Sequence, residues 1–224
     1  MSDDAASRNP SRTPVVQAAL DLFAQHGYDQ TSVEQIAQAA GVSRSTFFRQ
    51  FGGKEDVVFA DHELVLADLK EWFARGLSTK DPWQAAAEAS IHVFEHFAHD
   101  PEFARRRYQV VRQVKALRER EIVMTSRYER LFTEYLREAL PGIDPVDAVG
   151  FAALVTAIHN HLLRRMLRGH RVTSATLRQA LDDALRRFGV LDASPAGDDV
   201  VVAVFPRAMP VAEVARRLRD QLDG

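Results

Sequence analysis

Apolar residues recur along most of this chain at intervals of three and four, the spacing that stacks side chains on one face of an α-helix. Val16, Ala19, Leu20 and Phe23 mark the inward face of a first helix over about residues 12–26, which Gly27 ends. A second begins at Thr31, whose hydroxyl can accept from the backbone of Glu34 while the Glu34 side chain reaches back, and Val33, Ile36, Ala37 and Ala40 lie on one face of it. Gly41 tolerates the left-handed backbone a sharp turn demands, Val42 plugs the turn, and Ser43 is a good N-cap for a third helix. On that helix Phe47 and Phe51 fall inward, leaving Arg44, Ser45, Thr46, Phe48 and Arg49 to project outward.

Two short helices joined by a four-residue turn have the layout of a DNA-reading helix-turn-helix. The outward residues are of the types that touch DNA: arginine for phosphates or guanine edges, serine and threonine for hydrogen bonds, an aromatic for a thymine methyl or the sugar backbone. Lys54 opens the next helix, where the macrodipole disfavours a cation, so a DNA phosphate is a fitting partner. Gly53-Lys54 does not make a phosphate-binding P-loop, because Phe48 and Glu55 stand where that motif needs glycine and a hydroxyl.

From Lys54 the helical pattern continues to about residue 189, in segments near 54–76, 82–98, 101–140, 144–168 and 173–189. Gly76, Asp81-Pro82, Asp100-Pro101, Pro141-Gly142, Asp144-Pro145 and Thr173 punctuate them, and the long third segment is expected to break around Leu117 to Ile122. Residues 1–10 are polar and predict a disordered arm, whose Arg8, with Arg12 just beyond, reads as solvated charge. A linker over about 191–199 leads to Val200 to Phe205, a strand candidate, and to a short helix starting at Pro210. Such a strand needs a partner, and a dimer-reinforcing tail is the favoured reading of 191–224.

Composition narrows the possibilities. The chain of 224 residues is 46% hydrophobic, enough for a sizeable core, and has no cysteine, which excludes disulfides and thiolate-ligated metals. No signal region is evident and no apolar stretch approaches the roughly 18 residues that span a bilayer, so a cytoplasmic protein with no membrane partner is expected. The net charge of −2 argues against a general nucleic-acid binder. Yet Ser43 to Lys54 holds Arg44, Arg49 and Lys54 and no acid, a local basic patch of the kind a site-specific dimer carries.

The stretch from about Arg12 to Asp61 resembles the N-terminal domain of the TetR family of transcriptional regulators, through AALDLFAQHGYDQTSV (Ala18 to Val33), IAQAAGVSRSTFFRQF (Ile36 to Phe51) and GGKEDV (Gly52 to Val57). Phe48 stands where family members usually carry a tyrosine, which removes a hydroxyl-to-phosphate bond and keeps the ring. The resemblance implies an all-α protein. Residues 11–53 would form a three-helix DNA-binding domain, with Thr31, Ser32, Ser43, Arg44, Ser45, Thr46, Phe48, Arg49 and Lys54 at the DNA. Residues 54–190 would form a helical effector-binding and dimerisation domain. It further implies a homodimeric repressor on a palindromic operator in double-stranded DNA, released by a small molecule. A helical ligand-binding protein that has lost DNA recognition is the alternative.

The last two long helices would pair across the dimer, and Phe151, Leu154, Val155, Ile158, Leu162 and Met166, with Leu177, Leu181, Leu185 and Phe188, make an apolar stripe that permits it, although an ordinary buried core gives the same pattern. Phe94, Phe97, Tyr108, Tyr128 and His159 are candidates for the effector pocket. The basic run Phe103 to Glu121, with Arg105, Arg106, Arg107, Arg112, Lys115, Arg118 and Arg120, reads as a solvated face or as the site of an anionic, acyl-CoA-like effector in place of a purely hydrophobic one. His92 and His96 have the i, i+4 spacing of metal ligands, but no third ligand is identifiable, so no metal and no cofactor are assigned. No catalytic set stands out, and the chain is read as not an enzyme.

Overall fold

The computed structural model describes residues 14–74 and 81–187, all within the first of the two units into which the chain divides, residues 1–190. The expected arm with Arg8 and Arg12, Gly76, Phe188, the 191–199 linker and the strand and helix beyond it lie outside the described residues. Every regular element among the described residues is a helix: α1 Pro14–His26, α2 Val33–Ala39, α3 Arg44–Phe51, α4 Lys54–Val57, α5 Ala60–Ala74, α6 Pro82–Ala98, α7 Pro101–Gln113, α8 Lys115–Ala139, α9 Pro145–Leu167 and α10 Ser174–Arg187.

Three helices start at Asp-Pro pairs for the same reason. Asp81, Asp100 and Asp144 accept from the backbone of Trp83, Phe103 and Val146 at 2.9, 3.1 and 2.8 Å, and the following proline fills a position whose N–H would have had no partner. Two expectations fail on local backbone. The segment expected as one helix from 54 to 76 is broken after Val57, which leaves a four-residue α4 before α5. The break in the long basic segment falls at Val114, in an extended conformation, rather than at 117–122.

The core is built in two parts that meet. Val15, Val16, Ala19, Leu20 and Phe23 are the buried residues of α1, which packs on α2, with its buried Ile36 and Ala37, and on α4 and α7; α2 in turn packs on α3, where Phe47 is buried. Deeper in the chain α6 packs on α8, α9 and α10, α8 packs along α9, and α5 lies against α8. Phe151, Val155, Leu162 and Met166 of α9 and Leu177, Leu181 and Leu185 of α10 are buried within this one chain, with Leu154 and Ile158 half-buried. Of the two readings of this stripe, a seam between subunits or an ordinary core, the burial within one chain fits the core. The outer face of α9 is a different one, carrying Val146 and Val149, 75% and 55% exposed, with Gly150, Ala153 and Ala157 also exposed.

That second apolar face also corrects the expectation that no segment is long and apolar enough to span a bilayer. Pro145–Leu167 is, by length and composition, with a mean hydropathy of 1.3 in its most apolar 18-residue window. Its other face packs against α6, α8 and α10, as a core helix of a bundle does.

Candidate nucleic-acid interface and internal cavity

The α2–α3 turn is held by the backbone. Gly41 takes a φ of +69°, and the Val42 N–H donates to the Ala37 carbonyl at 2.9 Å. Ser43 then caps α3, accepting from the Thr46 N–H at 3.1 Å, and its hydroxyl lies 2.9 Å from those of Ser45 and Thr46. Phe47 is fully buried, touching Phe48 and Phe51 at 5.7 and 5.4 Å between ring centroids. This one anchor orients the helix so that Arg44, Ser45, Phe48 and Arg49 are exposed, with Thr46 half-buried. Arg44 is 67% exposed but not idle: its Nε pairs with Glu34 of α2 at 2.8 Å and its guanidinium lies over the Phe48 ring.

Thr31 is not the cap of α2. Ser32 is, accepting from the Gln35 N–H at 3.2 Å while the Ser32 N–H donates to the Gln35 side chain at 2.7 Å. The Thr31 hydroxyl turns inward and donates to the Gly27 carbonyl at 2.8 Å, and Thr31 is buried. Lys54 is likewise engaged inside the chain. Its ammonium donates to the carbonyls of Tyr28 and Thr31 at 2.8 and 3.1 Å. Of the nine residues expected at DNA, α3 and its cap thus bring six together, Ser32 caps α2, and Thr31 and Lys54 serve the frame.

The start of α5 is tied to α7 and α8 residue by residue. Asp61 accepts from Arg107 at 2.5 Å with both groups buried, and the Arg107 guanidinium lies over the Phe97 ring. His62 meets the Tyr128 hydroxyl at 3.2 Å and makes a tilted ring contact with Phe97, Glu63 pairs with Arg127, and Asp56 of α4 pairs with Arg120 at 2.7 Å. Burial pushes the Asp61 carboxyl up, but the Arg107 charge and hydrogen bond together with the neighbouring His62 and His96 outweigh it and hold the group below its ordinary range.

These contacts border a cavity with about 70 Å³ of enclosed space inside a crevice of about 780 Å³ that includes its mouth to solvent. Phe97, Tyr108, Tyr128 and His159 line it, as expected from sequence, together with His62, Ser90, Arg107, Met124, Thr156 and Asn160. Phe94 does not. It is buried behind His159, 6.0 Å from it between ring centroids, and belongs to the core. His159 Nδ1 lies 3.1 Å from the Ser90 carbonyl oxygen and 3.2 Å from the Ser90 hydroxyl. Burial depresses His62 to about 3 and His159 to about 4, so both imidazoles are neutral at pH 7. The role of His62 was missed, because its position in the cavity wall depends on Tyr128, 66 residues on. His92 and His99 are exposed and His96 is half-buried, and no cluster of three metal-ligating side chains occurs among the described residues.

Residues 15–60 match the family model for bacterial regulatory proteins of the tetR family. A Mycobacterium tuberculosis protein assigned as the mycofactocin biosynthesis transcriptional regulator MftR is 27% identical over 132 residues, 58% of this chain and 66% of its own length. The HTH-type transcriptional regulator TcmR of Streptomyces glaucescens is 49% identical over 64 residues, 27% of this chain and 28% of its own. The chain thus spans less than two thirds of either relative. Among solved structures, NalD of Pseudomonas aeruginosa, described as the secondary repressor of the MexAB-OprM multidrug efflux pump, superposes with a TM-score of 0.51 at 25% identity, covering 79% of this chain and 95% of NalD.

Proposed function

The chain belongs to the TetR family of bacterial transcriptional regulators, and from that premise we propose that two copies bind a palindromic operator, repress transcription there, and leave when a small molecule fills the cavity. The observation that carries this reading is α3, a capped helix anchored by Phe47 whose exposed side presents Arg44, Ser45, Phe48 and Arg49. Arg44 exchanges Glu34 for a base edge or phosphate on binding, and Arg49, Ser45 and Thr46 supply further contacts. Ser32 and Ser43 bring hydroxyls and helix N-termini toward the phosphates. Two reading helices need a dimer to reach successive major grooves about 34 to 36 Å apart, and the exposed apolar face of α9 is the surface that supplies it.

Coupling runs through the start of α5. A ligand in the cavity meets His62 of α5, the helix that follows α4, and also Arg107 and Tyr128, whose partners Asp61 and His62 lie on α5; α4 carries Lys54, which holds the α1–α2 loop. An effector that favours the arrangement unable to bind DNA lowers DNA affinity by the ratio of its two affinities. The cavity binds and does not turn over. His159 Nδ1 must carry a proton to donate to the Ser90 carbonyl, which leaves it no lone pair with which to activate the adjacent hydroxyl. Such a regulator works in the cytoplasm, on DNA, with no cofactor.

Selection of random duplexes on the purified protein tests the reading. Enrichment of an inverted repeat bound by one or two dimers is expected, and no enrichment at any salt concentration contradicts it.

A further inference from the structure

We propose that the cavity takes an uncharged, largely apolar molecule bearing a single ketone or hydroxyl oxygen, which the Thr156 hydroxyl meets. The inference rests on the reading of this cavity as the effector site and states what chemistry it selects.

Thr156 is 4% exposed, lines the cavity, and its Oγ1 has no hydrogen-bond partner. A buried hydroxyl in that state is held at a cost that an incoming oxygen removes. On α9 the lining residues Thr156, His159, Asn160, Leu163, Arg164 and Leu167 follow one helical stripe, with Thr156 at one end and, at the other, Leu163 and Leu167 beside an Arg164 that is paired with Glu121. A ligand with an oxygen at one end of an apolar body suits a wall whose buried, unpartnered hydroxyl sits at one end of that stripe. Phe59, Val93, Phe97, Val111, Met124 and Phe132 form much of the remaining wall.

Charge excludes the anionic alternative. Both cations in the wall already hold a carboxylate of this chain: Arg107 is paired with Asp61 at 2.5 Å, and Arg164 with Glu121 at 3.4 Å. A ligand carboxylate would enter a low-dielectric space with no unpaired positive charge to receive it. The neutral state of His62 and His159 agrees. Of the cations of the basic run only Arg107 lines this cavity, and it is already paired with Asp61, so the phosphates of an acyl-CoA would meet no cluster of cations in the wall. The small enclosed volume requires side chains to move when a ligand enters, and Met124 is the wall residue best able to do so.

The test uses three probes of one shape on the full chain at pH 7.5, by calorimetric titration: 2-acetylnaphthalene, 2-naphthoate and naphthalene. The ketone is expected to bind, with the carboxylate weaker by about tenfold or more. Thr156→Val, of similar shape but without the hydroxyl, should weaken the ketone by about fivefold and leave naphthalene unchanged. Equal or tighter binding of the carboxylate, an equal effect of Thr156→Val on ketone and naphthalene, or binding of none of the three overturns the proposal. Repeating the enriched-duplex titration with saturating ketone separates the two levels. A ketone that binds with the stated selectivity and leaves DNA affinity unchanged removes the effector role while the chemistry of the cavity stands.

Discussion

Lys54 donates from its ammonium to the carbonyl oxygen of Tyr28, 2.8 Å away, and lies over the ring of the same residue, 4.1 Å from its centroid. A second bond to the Thr31 carbonyl makes this one side chain the clasp between α4 and the loop that joins α1 to α2. The group that sequence position suggests for a DNA phosphate makes two hydrogen bonds within the protein frame. The Glu55 carboxylate beside Tyr28 adds to the same corner, where burial first and Glu55 second push the phenol up to about 12.

Lys54→Met should therefore lower stability by about 1 to 3 kcal/mol, the range for hydrogen bonds from a charged donor. Salt-resolved DNA titration distinguishes frame from contact. A phosphate contact would reduce the slope of log affinity against log salt by about one, whereas a frame residue leaves the slope alone. A reduced slope with unchanged urea midpoint would show that the clasp reading is wrong.

Asp61→Asn leaves the Arg107 cation buried without its counterion, and should cost about 3 to 5 kcal/mol in urea denaturation. Replacing both partners together, Asp61→Leu with Arg107→Met, should recover most of that loss, because the stranded charge is gone. If the double variant is no more stable than the single one, the pair is not what the site depends on.

Stability should fall as pH drops from about 6.5 toward 4. Burial holds His62 near 3 and His159 near 4, while in the unfolded chain both titrate near 6.5. Between those limits the unfolded state takes up protons that the folded state refuses, so acid favours unfolding, at up to 1.4 kcal/mol per pH unit per group. The Asp61 carboxylate, held low by Arg107, adds to the same trend only below about pH 5, where the carboxylate of the unfolded chain begins to take up protons. From pH 7.5 to 5.0 the loss should be about 2 to 4 kcal/mol. A urea midpoint that is flat or rises over this range contradicts the assignment.

Thr156→Val should leave the free protein as stable or more so, by up to about 1 kcal/mol, because it removes a buried hydroxyl that has no partner. A loss greater than that in thermal unfolding would mean the hydroxyl is satisfied after all.

Local chemistry was legible wherever it was decided within a few residues. The Asp-Pro starts of α6, α7 and α9, the Gly41 turn, the Ser43 cap and the inward Phe47 each follow from neighbours in sequence. The cap of α2 was off by one because Thr31 and Ser32 are equally able to cap, with Glu34 and Gln35 each three residues on. The choice is made by Gly27, whose carbonyl takes the Thr31 hydroxyl. The break at Val114 carries no glycine or proline to announce it. What a helical stripe faces is also not a local property, so the inner row of α9 reads from sequence equally as a subunit seam or as core, and α6, α8 and α10 of the same chain pack on this helix. The cavity depends on pairs such as Asp61 with Arg107, 46 residues apart, and only packing brings them together.

The central claim, that α3 reads DNA, is tested most directly at Arg44. The enriched duplex and a scrambled one are titrated with the wild-type chain and with Arg44→Ala, alongside thermal unfolding of both proteins. The Glu34 pair is exposed, 67% and 56% on its two sides, so the unfolding temperature should scarcely move. Affinity for the enriched duplex should fall by about 5- to 150-fold, the equivalent of 1 to 3 kcal/mol, while binding to the scrambled one changes far less. Equal affinity of both proteins for the enriched duplex, with the fold intact, would contradict the account.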